Sequence, residues 1–150
     1  MLFQRVNRTD AEKVFVVAYN ASGGAFTLGQ AVCWDTGTSA DGIRVTTPAT
    51  ATLSAFAGLT AGAIANGAYG LVQVYGYTAS ASVINDITTA LVAGSILLPK
   101  NGSANLSCDD SAGRDDSDGK SGFVIAMQTN TTATAGAIAA SAHKVFIRAL

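Results

Sequence analysis

Charge is what this sequence has least of. Nine of its 150 residues are Lys or Arg, ten are Asp or Glu and one is His, giving a formal net charge of −1. So flat a balance offers no field to draw in DNA, RNA or an anionic membrane, and neither nucleic acid nor membrane is expected as a partner. Long apolar runs are missing too. The longest, Val14–Tyr19, falls far short of the roughly 20 residues that span a bilayer. The opening MLFQRVNRTDAEK has no apolar stretch ahead of its charges, so no secretory signal is expected. Cysteine is scarce: Cys33 and Cys108 lie far apart, neither in a CxxC nor in a Cys/His cluster, and are expected as reduced thiols. Yet 49% of the chain is hydrophobic, too much for a disordered tail.

The parts of a catalytic site are equally thin. A Ser-His-Asp or Cys-His-Asn arrangement would have to use His143, and no GxSxG turn presents a serine. His143 opens the last expected strand and reads as an edge or solvent-facing residue. GxxxxGK[ST] and GxGxxG phosphate loops are absent. Half of the acidic residues crowd into Asp109–Asp118. Set on an EF-hand frame with Gly119 at the sixth position, that loop puts Arg114 at the first ligand and Ile125 at the bidentate Glu. A solvated acidic loop balanced by Arg114 and Lys120 is the expectation, with no metal and no cofactor.

What the chain does have is Ala, Thr, Gly and Ser, nearly half of it, set out as strands and turns. Lys13–Asn20 is β-branched and aromatic and runs into the turn signal NASGG. Gly29–Asp35 and Ile43–Thr47 follow, the latter stopped by Pro48, then a weaker segment at Ala51–Gly58. Tyr69–Thr78 (YGLVQVYGYT) is the clearest strand, with Tyr69, Leu71, Gln73, Tyr75 and Tyr77 on one face by the period of two. A short segment at Ser82–Ile84 and strands at Gly94–Leu98, Gly122–Gln128 and His143–Leu150 complete the set. Residues 131–142 read as a loop or a weak strand. The pattern predicts an all-β fold: a single-domain jelly-roll-like β-sandwich or small β-barrel over 13–150, behind an extended N-terminal arm at 1–12.

Surface for protein contact is the remaining functional signal. Trp34 and the tyrosines Tyr69, Tyr75 and Tyr77 have the large apolar body and polar tip that interfaces favour, although a core position is equally open to them. In the last strand Phe146 shares a face with Lys144 and Arg148, opposite Val145, Ile147 and Ala149. The arm carries Leu2, Phe3 and Val6 with Arg5 and Arg8, too few to make a core alone.

The stretch GAYGLVQVYGYTASASV, with LVAGSILLPKNGSANL after it and GQAVCWDTGTSADGIRVTTPAT before it, resembles the strand and turn pattern of tailed-bacteriophage capsid decoration (cement) proteins over about residues 25–108. The resemblance implies a structural virion protein, not an enzyme. Such a protein is made in the host bacterial cytoplasm, binds the outer surface of an icosahedral capsid and clamps neighbouring subunits of the major capsid protein. Self-association is expected, a homodimer before a trimer. Leu2, Phe3, Arg5, Val6, Arg8, Trp34, Tyr69, Tyr75, Tyr77 and Phe146 are the candidate interface residues, and the arm Met1–Asp10 is expected to help attachment. The alternative is a phage head-fibre or carbohydrate-binding β module that stacks sugars on Trp34 and the tyrosines.

Overall fold

The computed structural model describes residues 12–85, 91–108, 123–130 and 137–149. The arm at 1–11 and the acidic loop at 109–122 therefore lie outside the described residues, and with them Leu2, Phe3, Arg5, Val6 and Arg8. The fold is all-β, as the sequence predicts. Its strands are β1 (Lys13–Asn20), β2 (Ala31–Trp34), β3 (Arg44–Thr46), β4 (Phe56–Thr60), β5 (Tyr69–Asn85), β6 (Ile96–Pro99), β7 (Leu106–Cys108), β8 (Val124–Ala126) and β9 (Ala137–Arg148). A 3₁₀ turn, Leu53–Ala55, enters β4 where the sequence suggested a weak strand.

The topology turns on β5. Gln73 and Val72 pair with both β1 and β4, which must therefore flank β5 on opposite edges. Tyr75 and Gly76 pair with both β1 and β9, and Val83, Ile84 and Asn85 with both β7 and β9. Along one edge of β5, then, β4 is followed by β9; along the other, β1 is followed by β7. The pairings close two rings in series, β1-β3-β2-β4-β5 and β5-β7-β6-β8-β9, with β5 common to both. Closure of this kind removes most free sheet edges.

Each ring has its own core. Ala18, Val32, Val45, Ala57, Val72 and Val74 fill the first, together with Phe26 and Ile64, which face each other across an isolated bridge. The second holds Ala81, Val83, Leu97, Leu106, Val124, Ala126, Val145 and Ile147, and also Ala31, Phe56 and Leu59 from β2 and β4. Strands β2 and β4 thus give side chains to both cores. That is why AVC and FAGLT are buried throughout and show no apolar–polar alternation.

Strand β5 runs on through Ala79 and Ser80, residues of low strand propensity, because β9 pairs with it through register shifts between Thr78 and Ile84. Partners thus override local preference. The same pairing draws Ala137 onward into β9, where the sequence was ambiguous.

Candidate functional site

The outer wall of the first ring is the antiparallel pair β1/β5. Within β1 the even positions from Val16 onward turn inward: Ala18 is fully buried in the first core, with Val16 packed beside it. Asn20 is buried as well, and its side-chain amide donates to the carbonyls of Gly24 (2.8 Å) and Ile64 (3.0 Å), fixing the end of the strand. Opposite it on β5, Val72 and Val74 are core residues. Gly70 is glycine because a Cβ there would sit 2.5 Å from Ile64 Cγ1.

With those positions inside, the alternate ones from Phe15 onward face out and are apolar, while Lys13 at the start of β1 is exposed and charged. Phe15 is 42% exposed, Val17 60%, Tyr69 63% and Leu71 50%; Val14, beside the bulge at Val14/Phe15, is 36% exposed. The register sets Val17 opposite Leu71 and Tyr19 opposite Tyr69. The two tyrosine rings meet edge to face at 5.2 Å, with the Arg44 guanidinium 5.3 Å from the Tyr19 ring centre and held by Asp35 at 3.6 Å. Next along β5, Gln73 is buried and donates its amide to the carbonyls of Tyr75 (3.2 Å) and Tyr77 (3.1 Å), which closes that end of the open face. The result is an uncharged stripe of Phe15, Val17, Tyr69 and Leu71, bordered by Arg44. Isolated exposed apolar residues are ordinary on a soluble protein; a run of them on paired strands marks a contact surface.

The residues singled out from the sequence divide into groups. Tyr69 is in the stripe. Tyr75 and Tyr77 are half-buried further along β5, where Tyr75 packs edge to face on Phe146 at 5.3 Å and Tyr77 is the register partner of Phe146. Trp34 is half-buried against the first core. Phe15 and Val17 were not singled out, because KVFVVAYN is apolar on both faces and its alternation does not say which one is outside.

Two groups with chemical potential are locked in. Cys33 is a free thiol, fully buried, and desolvation pushes its pKa up to about 12 against a smaller opposing hydrogen bond with Thr52. It is therefore a poor nucleophile. The side chain of Cys108 lies outside the description. His143 corrects the expectation of an edge or solvent position: it has no exposed surface, Nε2–H donates to the Gln128 carbonyl at 3.0 Å, and Nδ1 has no partner among the described residues. Also among the described residues, no three His, Cys, Asp or Glu side chains converge as metal ligands would.

Burial holds the His143 pKa below its usual value of 6.5, outweighing the hydrogen bond to Gln128. The ring is thus neutral in the fold, while the unfolded chain takes up its proton first as pH falls. Stability from this site is full above about pH 6.5 and falls on acidification, by at most about 1.4 kcal/mol per pH unit. Thermal melts at pH 7.5 and 5.5 should show a larger drop for the wild type than for His143→Gln, which keeps a donor for Gln128 but does not titrate. Equal drops would show that His143 does not charge on unfolding.

No family model matches the chain, and no curated protein sequence matches it either.

Proposed function

We propose that this chain is a structural virion protein that docks on the outer surface of an icosahedral phage capsid and cements neighbouring major capsid subunits. The observation that carries the reading is the uncharged, solvent-facing stripe on β1 and β5. The sequence pattern of decoration proteins around the strand that supplies half of it adds support. The interaction is one of apolar area and shape: the exposed side chains of the stripe offer no charge for a nucleic acid or an ionic ligand. Many copies of a modest contact, each bridging more than one subunit, give tight overall attachment through effective concentration. The protein works by binding, without a reaction, cofactor or metal.

The alternative, a sugar-stacking module, needs open aromatic faces. Trp34 packs against a core, Tyr75 packs on Phe146 and Tyr77 is half-buried, so of these four rings Tyr69 alone is open, which disfavours a platform of several rings.

Co-sedimentation of the purified chain with empty shells of the major capsid protein tests the reading, with immobilised glycans as the comparison. Pelleting with shells and passage through the glycan column is the expected result. Retention on glycans without shell binding overturns the reading in favour of the alternative.

A further inference from the structure

We propose that the open edge of β1 pairs antiparallel with the same edge of a second copy, joining the outer walls of two chains into one continuous sheet. Alternate residues of a strand direct their backbone groups to opposite sides. Asn20 N–H donates to Ala68 on the β5 side, whereas Tyr19 N–H donates to Ile43 on the other side. By that alternation Phe15 and Val17 aim their N–H and C=O groups away from β5. Strand β3 meets β1 only at Tyr19 and Asn20, so among the described residues no strand pairs with Phe15 or Val17 on that side. Among the described residues, the first ring is thus closed at Tyr19 and Asn20 and unpaired on that side along Val14–Ala18.

Soluble proteins guard such edges with charged residues, Pro or bulges. Between Val14 and Ala18 there is no charge and no Pro, and the bulge at Val14/Phe15 lies in the pairing with β5. An edge built this way is one to be covered, and its symmetry suits a copy of itself. A twofold axis at Val16 sets Phe15 opposite Val17 of the second copy and Val14 opposite Ala18. The Phe15/Val17 pairs have the orientation that exchanges both N–H···O=C bonds. The five residues involved fit the length free before β3 begins, and no like charges face each other within them.

The pairing also answers a shortfall in area. At about 150–250 Å² for a large side chain, the exposed fractions at Val14, Phe15, Val17, Tyr69 and Leu71 leave roughly 400–600 Å² of apolar surface per chain. A standard stable interface takes about 800 Å² from each partner. Residues directly opposite in a sheet share a face, so the two stripes of the dimer lie side by side and together reach that size. The use of the doubled stripe rests on the capsid reading; the dimer itself does not.

Sedimentation equilibrium of the full chain tests this. The wild type should weigh twice its 15.1 kDa chain mass. Val17→Pro removes an N–H that no described strand uses, and Val17→Lys puts a charge at the edge. Each should weaken the dimer by about tenfold or more, with far-UV circular dichroism unchanged for Val17→Lys. Val92→Lys, at a position 55% exposed elsewhere, should remain dimeric, as should the chain lacking Met1–Asp10. A monomeric wild type up to its highest soluble concentration overturns the inference. So do folded Val17→Lys dimers, or a dimer lost only with the arm. A monomer that pellets with shells overturns the dimer and leaves the capsid reading intact; a dimer that ignores shells does the reverse.

Discussion

Gly29→Ala should cost about 3 kcal/mol or more of folding stability, enough to leave a typical domain partly unfolded. Gly29 has φ +79°, and a Cβ there would lie 1.6 Å from the Ser80 carbonyl oxygen, so backbone must move against backbone. It sits where the chain crosses the middle of β5: its N–H donates to Thr60 at 2.8 Å and its carbonyl accepts from Ser82 at 2.9 Å. Moving it loosens β5 at the junction of the two rings. Gly42 separates sterics from conformation, because its φ is also positive, +78°, with nothing near its missing Cβ. Gly42→Ala should cost only the roughly 1–2 kcal/mol of a left-handed residue. Urea unfolding of both variants checks the account; equal losses would show that the Ser80 clash is relieved at no cost.

Leu71→Asp should weaken binding to capsid shells by about 100-fold or more. The side chain is half exposed on β5, one strand in from the β1 edge and opposite Val17, so the fold should lose no more than about 1 kcal/mol. In the docked state the carboxylate is buried on an uncharged face without a partner, a penalty of about 3–5 kcal/mol, and shared attachment compounds the loss. Val92→Asp puts the same charge on a comparably exposed apolar residue outside the stripe and should bind as the wild type does. Shell-binding isotherms for the two, alongside their melting temperatures, give the comparison. Equal binding by both would place the docking face elsewhere.

How far the sequence could be read varies by strand. Lys13–Asn20 is β1 residue for residue, and the last strand puts Val145 and Ile147 inside with Lys144 and Arg148 outside, as alternation requires. The same alternation carries His143 inward with Val145 and Ile147. The edge or solvent-facing position expected of His143 gives way to this alternation, the ring being buried with a hydrogen bond to the Gln128 carbonyl. Strand β7 was missed because Leu106 is its one large apolar side chain. The two rings were out of reach, since they depend on β5 pairing with β1 and β4 at one end and with β7 and β9 at the other. Those are distant partners that no local pattern names. The stripe was half legible: Tyr69 and Leu71 declare a face, but only burial of Ala18 and Val72 against the first core shows that face to be the outer one.

A low-resolution reconstruction of capsid shells saturated with the purified chain decides whether the protein decorates them. Added density on the outer surface, spanning adjacent major capsid subunits with the β1/β5 wall toward the shell, is the expected result. Shells that keep their bare outline at saturating protein would contradict it.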